Sequence, residues 1–241
     1  MPHQSFTIDE AAAYLHLARP DLERLVKDQE IPFETRGDRV IFRRRDIDAW
    51  ASQRILGLQD RRLTEYHQRT CQGTREFLPN EAIMPEMIQP EFINATMKAK
   101  TKASMIRDMV ELAEKTGRVY DPKELLSSLE AREELCSTAL PGGLALLHPR
   151  HHEPYMFESS FIVLGRPIQE IHFRAPDGQP TELFFLICCQ DDRIHLHTLA
   201  RLCMMAMKTE LLLRLRQAPD AASMHEHIIA CEQEVLAAKK P

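Results

Sequence analysis

Between Ala145 and Cys189 the chain carries apolar runs of strand length, and helical spacing surrounds that block on both sides. The runs are Ala145-Leu146-Leu147, Phe161 to Leu164, Ile168 to Phe173 and Glu182 to Cys189, with an Asp177-Gly178 hairpin turn before the last. Their length and bounding turn residues predict strands. Upstream, Ala103, Ile106, Val110 and Ala113 recur at helical spacing, with Gly117 just past the end. Asp121-Pro122-Lys123-Glu124 then opens a second helix, with aspartate as cap and proline in the first turn. That helix turns Leu125, Leu126 and Leu129 toward a core. Downstream, helices are predicted from Ile194 to about Met207, Thr209 to Arg216, and Ala221 to about Leu236, the last capped by Asp220. Helices before and after a run of strands predict an α/β sandwich built around one sheet.

The first fifty residues follow a different plan. Thr7-Ile8-Asp9-Glu10 forms a capping box, and Ala11, Ala12 and Leu15 follow on one apolar face. Arg19-Pro20-Asp21 announces a second helix with Leu22, Leu25 and Val26 inward; Ala18 offers that helix no side-chain cap. The period then changes to two over Ile31 to Arg36 and Arg39 to Phe42, around a Gly37-Asp38 turn, which predicts a hairpin. A third helix begins at Asp46 with Trp50 facing in. Helix, tight turn, helix and hairpin outline a small winged helix-turn-helix domain.

Charge qualifies that outline. Residues 1–52 hold eight Lys or Arg against ten Asp or Glu. Between Arg36 and Arg45, however, five arginines face only Asp38, where a wing would meet phosphates. Arg19 and Arg24 lie on the second helix, which enters the major groove in domains of this plan. The expected DNA contacts are therefore Arg19, Arg24, Arg36, Arg39, Arg43 and Arg44.

The whole chain of 241 residues carries a formal charge of −5, with 44% hydrophobic and 28% charged residues. That balance gives no global basic field. No apolar run reaches membrane length, and the N-terminus lacks the charged and apolar regions of a signal peptide, so a cytoplasmic protein is expected. The six cysteines show no C-x₂-C pair and read as reduced thiols.

The chemistry concentrates in Ala131 to Tyr155, AREELCSTALPGGLALLHPRHHEPY. His148 ends the short apolar run, and Pro149 biases it toward an extended backbone. Arg132 supplies a permanent charge and a donor fork suited to phosphate. A second signal is Asp191-Asp192-Arg193-Ile194-His195-Leu196-His197, at the start of a helix, where unpaired N–H groups favour anions. His197 points to another side of that helix and reads as incidental. His148, His151, His152 and Glu153 invite a metal, but their spacing is not that of a helical pair and no cysteine supports it; no metal and no cofactor is expected.

The run R-E-x-L-x-S-T-x-x-x-x-G-x-A-x-x-H resembles the active-site stretch of the EIIA proteins of the phosphotransferase system, in the fructose, mannitol and nitrogen class. This resemblance covers about residues 87–236 and implies the type 2 EIIA fold, a mixed sheet flanked by helices. It implies that His148 accepts a phosphoryl group from HPr or its nitrogen-system paralogue, with Arg132 and His195 holding the phosphate. Backbone N–H groups at Gly142 and Gly143 are expected to complete a phosphate loop. The family's proline before the histidine is Leu147 here. The N-terminal words, from FTIDEAAAYL to RRRDIDAW, resemble the excisionase/MerR-like DNA-binding domain.

The expected organisation is a DNA-binding domain over 1–52, a partly helical linker over 53–86 and an EIIA-like domain over 87–241. Ile55, Leu56, Leu63 and Tyr66 suggest one linker helix running on from Trp50, a candidate element for a homodimer. Three functions follow: a phosphorylation-sensing DNA-binding regulator, a relay for sugar uptake, and an unphosphorylated scaffold. In the first two the protein is a phosphoryl carrier more than a turnover enzyme.

Overall fold

A computed structural model describes residues 5–58, 60–74, 80–150 and 155–238. The N-terminal part holds β1 (Ser5–Phe6), α1 (Ile8–Tyr14), α2 (Arg19–Lys27), β2 (Glu34–Arg36), β3 (Arg39–Arg43) and α3 (Arg44–Leu56). The capping box at Thr7 forms, and Ala18 leaves α2 without a side-chain cap. β3 is central, pairing antiparallel with both β1 and β2. Ala11, Leu15, Leu22, Leu25, Phe42 and Ile47 close a small core. Trp50 packs against this core from its edge. It is half-buried, donates from Nε1 to the Glu30 carbonyl at 2.6 Å and lies under the Arg54 guanidinium.

The helix expected to run on from Trp50 is two helices. Gly57 ends α3, and α4 (Asp60–Gly73) starts anew. The boundary expected at residue 52 falls inside α3. The stripe assigned to dimerisation is spent within the chain: α4 packs along α8, with Leu63, Tyr66, His67 and Thr70 buried.

The larger part continues with α5 (Met84–Met87), a 3-10 turn at Pro90–Phe92, β4 (Ile93–Met97), α6 (Lys102–Glu114), α7 (Pro122–Leu135), β5 (Ala139–Leu140), β6 (Leu144–Leu147), β7 (Phe161–Pro167) and β8 (Leu183–Cys188). It closes with α8 (Asp192–Lys208), α9 (Leu211–Gln217) and α10 (Ala221–Ala237). The sheet order is β4-β7-β8-β6-β5. β4 with β7 and β6 with β8 are parallel; the other two pairs are antiparallel. This is the mixed sheet flanked by helices. α6 lies over β7, where Gly165 lets it approach; a Cβ there would collide with the sulfurs of Met97 and Met109. Two strand expectations change. β4 was not foreseen, and Ile168 to Phe173 forms no strand beyond a single bridge from Ile171 to Thr181, leaving Ile168 exposed.

Candidate active site at the carboxyl edge of β6 and β8

β6 and β8 run parallel side by side, so their carboxyl ends meet at one edge of the sheet. His148 follows β6 there, and the first turn of α8 follows β8. That topology brings His148 and His195 together, with ring centroids 4.8 Å apart. Arg132 arrives from the last turn of α7, whose end is pinned by Glu133 accepting from the Thr138 backbone and hydroxyl and pairing with Lys102. The three expected side chains thus converge, and all are buried: His148 and His195 are 1% exposed and Arg132 is 2%.

The hydrogen bonds fix the chemistry of His148. Its Nδ1 lies 2.9 Å from the Leu146 carbonyl oxygen, which only accepts, so the ring proton sits on Nδ1. Nε2 then holds the lone pair, and Arg132 Nε donates to it at 3.0 Å. Nη1 of Arg132 donates to the Cys136 carbonyl at 3.0 Å, while Nη2 is buried and has no partner among the described residues. A nucleophilic nitrogen beside a guanidinium with a donor in reserve suits an incoming oxyanion. Leu147, where proline was expected, pairs with Leu186, so the sheet holds the backbone that a proline ring would otherwise stiffen.

Two expectations about the phosphate are overturned. Gly142 and Gly143 lie in the turn between β5 and β6, at the opposite end of β6 from His148. With about 3.3 Å per extended residue, roughly 16 Å separates Gly143 from His148. Their φ values of 86° and 78° serve the turn, and Gly142 N–H donates to Asp177. The start of α8 is not an open anion site either, because the Asp191 carboxylate already accepts from the N–H groups of Arg193 and Ile194. His151, His152 and Glu153 lie outside the described residues.

The N-terminal domain reaches this edge. Ser52 Oγ of α3 lies 3.4 Å from His195 Nε2. Arg45, Trp50 and Gln53 face Leu135 and Arg150 across a cleft of about 600 Å³. Arg44, expected on the DNA-facing run, instead pairs with Asp192. Tyr14 bridges Asp192 and Asp48. Burial, then the neighbouring Asp192, holds the Asp48 carboxyl well above the usual carboxylate range. The Tyr14 hydroxyl lies within donating distance of both carboxylates, and its single proton serves one of them at a time. Burial alone would lower the Arg44 guanidinium, but Asp192 outweighs it and raises it. The other DNA candidates stay exposed: Arg19 pairs with Asp9 and Glu23, Arg24 with Asp21, Arg36 and Arg43 with Glu34, and Arg39 stands on β3.

His197, read as incidental, is buried against α4. Its Nδ1 meets Thr70 Oγ1 at 2.9 Å and its ring stacks on His67. His67, Cys71 and His197 bring ligand atoms within 4.8 Å of one another. Yet Arg201 Nε donates to His67 Nε2 at 2.7 Å, so a guanidinium already holds the lone pair a metal would take. No described helix is long and apolar enough to cross a membrane.

Comparisons with known proteins bear on the family and the fold. Residues 86–231 match the family described as the phosphoenolpyruvate-dependent sugar phosphotransferase system, EIIA 2, and residues 5–55 match a helix-turn-helix domain. The chain is 28% identical over 143 residues to a nitrogen regulatory protein of Bradyrhizobium diazoefficiens, covering 58% of this chain and 90% of that protein. It is 27% identical over 135 residues to the fructose-specific EIIABC component of Bacillus subtilis, covering 55% of this chain but only 21% of that longer protein. The crystal structure of the nitrogen regulatory protein IIA-Ntr from Neisseria meningitidis superposes with a TM-score of 0.55 at 24% identity, covering 63% of this chain and 99% of that one. Escherichia coli mannitol IIA, solved in complex with phosphorylated mannitol IIB, gives 0.52 at 21% identity, covering 59% and 96%. At these identities the two structures speak for the fold alone.

Proposed function

This chain belongs to the EIIA type 2 family of the phosphoenolpyruvate-dependent sugar phosphotransferase system, and from that premise we propose that His148 is its phosphoryl acceptor, within a regulator that binds DNA through its N-terminal domain. One observation carries the reading: Nε2 of His148 is the unprotonated nitrogen, set against Arg132. The donor is the phosphohistidine of HPr or its nitrogen-system paralogue. Nε2 attacks phosphorus, the new N–P bond forms as the donor N–P bond breaks, and the donor ring leaves with the electron pair. The Nδ1 proton stays against the Leu146 carbonyl. Arg132 and His195 stabilise the equatorial oxygens, which is most of what such a transfer asks of a protein.

The N-terminal domain presents α2 and the β2–β3 hairpin to DNA, with Arg19, Arg24, Arg36, Arg39 and Arg43 as its phosphate and groove contacts. Arg44 leaves that set because it pairs with Asp192. A cytoplasmic location follows from this reading, since both the carrier and the DNA would be met there. A second reading, a relay passing phosphate to a sugar-specific IIB protein, is supported by the likeness to mannitol IIA, which was solved with such a partner.

The test is transfer itself. The protein is mixed with phosphoenolpyruvate, enzyme I and either carrier, and acid-labile phosphate is read by intact mass beside His148→Ala. Phosphate in the wild type and none in the variant supports the acceptor; none with any donor leaves the scaffold reading. Salt-dependent DNA binding that disappears when Arg36, Arg39 and Arg43 are neutralised separates regulator from relay.

A further inference from the structure

We propose that the N-terminal domain is an intramolecular occupant of the face through which His148 receives phosphate, so that docking of this domain and phosphorylation of His148 exclude one another. The proposal rests on His148 being the acceptor.

Burial is the first ground. In-line transfer requires the carrier's phosphohistidine to reach Nε2, and a side chain 1% exposed gives it no approach. The N-terminal domain packs against the histidine pair through α3, whose Ser52 touches His195, the ring 4.8 Å from that of His148. Arg45, Trp50 and Gln53 of α3 line the neighbouring cleft with Leu135 and Arg150.

Competition for the same face is the second. Asp192 and His195 stand three residues apart on α8 and share a face. The docked domain holds that face with Arg44 and Tyr14 on Asp192 and Ser52 on His195. A phosphoryl group on His148 needs room there and offers its oxygens to His195 in place of Ser52. Phosphorylation therefore displaces the docked domain, and by linkage docking opposes phosphorylation by the same factor.

The tether permits this. α4 stays clamped to α8 through His67, Thr70 and His197, so α3 can leave while the domain remains attached. The hairpin and α2 arginines face solvent in the docked state, so docking gates the histidine and not the DNA face.

The experiment compares full-length wild type with Arg44→Glu, which sets two acids against each other at the interface, and with Arg61→Glu at an exposed position of α4. Initial rates of carrier-dependent phosphorylation are measured, together with carbethoxylation of His148 and His195 by diethyl pyrocarbonate, mapped by peptide mass. Both rates should rise about tenfold or more in Arg44→Glu and stay at the wild-type level in Arg61→Glu. Equal rates in all three proteins, with wild-type His148 freely modified, would overturn the gating and leave the acceptor assignment intact. No phosphate on any of them, even where His148 is readily modified, would end both. If Arg44→Glu fails to fold, Tyr14→Phe, which removes only the bridging hydroxyl, carries the comparison with a smaller rise; no rise there overturns the gating.

Discussion

Two arginines among the described residues are almost wholly buried, and each donates from Nε to the Nε2 of a histidine: Arg132 to His148 and Arg201 to His67. They differ in what surrounds the rest of the guanidinium. Arg201 Nη1 pairs with Glu232, and Nη2 donates to the Glu81 carbonyl. Glu232 in turn accepts from the N–H groups of Ile83 and Met84. Every nitrogen is matched, and the result ties α8, α10 and the segment before α5 together. Arg132 has no carboxylate partner among the described residues, and its Nη2 has no acceptor. A buried cation without a counterion is costly, and an arriving anion relieves that cost. The same residue pair is a rivet in one place and a receptor in the other, and the counterion decides which.

The sharpest way to break that comparison is to remove each arginine in turn. Arg201→Leu strands Glu232 and should cost about 3–5 kcal/mol in denaturant unfolding. Arg132→Leu strands no carboxylate, only His148 Nε2 and the Cys136 carbonyl, and should cost less, about 1–2 kcal/mol, while slowing phosphorylation about a hundredfold. Equal losses of stability would show that Arg132 is a rivet too.

Next in size is an acid effect on the clamp between the two parts. His16 is buried against the end of α4, where a Cβ on Gly73 would strike its ring. Burial, then the nearby Arg193, lowers its pKa to about 4. The folded state thus binds this proton less readily than the unfolded one. Stability from His16 is complete above its ordinary value near 6.5 and is lost as pH falls from there toward 4, by up to about 3 kcal/mol. Asp48 works the other way, since its raised carboxyl favours the docked state in acid. The difference between wild type and His16→Gln across pH 7 to 4 isolates the histidine; parallel curves would remove it from the account.

Converting the rivet toward a receptor is a smaller change. Glu232→Gln keeps the shape but takes away the counterion, and should cost about 2 kcal/mol. Added sulfate should then recover part of that loss in Glu232→Gln but not in wild type. No response to sulfate would weaken the role given to the counterion.

The smallest effect concerns the glycine pair. Gly143→Ala forces a side chain into φ near 78° beside Arg216 and should cost about 1–2 kcal/mol. Its phosphorylation rate should match wild type, because the turn lies at the far end of β6. A slowed rate would restore the phosphate loop the spacing had suggested.

The sequence by itself determined what is local. Periods of two and near four marked most strands and helices, and Thr7, Asp121 and Asp220 cap helices where expected. His148, Arg132 and His195 could be picked out because residue type and neighbours already carry their chemistry. Tertiary structure decided what depends on distant partners. β4 becomes a strand through parallel pairing with β7, a contact across about seventy residues that no short-range period announces. Ile168 to Phe173 has strand composition but finds no strand to pair with beyond one bridge. Arg43 and Arg44 are adjacent arginines, yet one faces solvent and the other meets Asp192, 148 positions away. His197 is held by α4, and the two glycines sit at the wrong end of their strand for phosphate. Spacing along a chain fixes which face a side chain takes, but only packing fixes what waits on that face. The meeting of Ser52 with His195, 143 positions away, is such a fact, and it is the one on which the regulation proposed here depends.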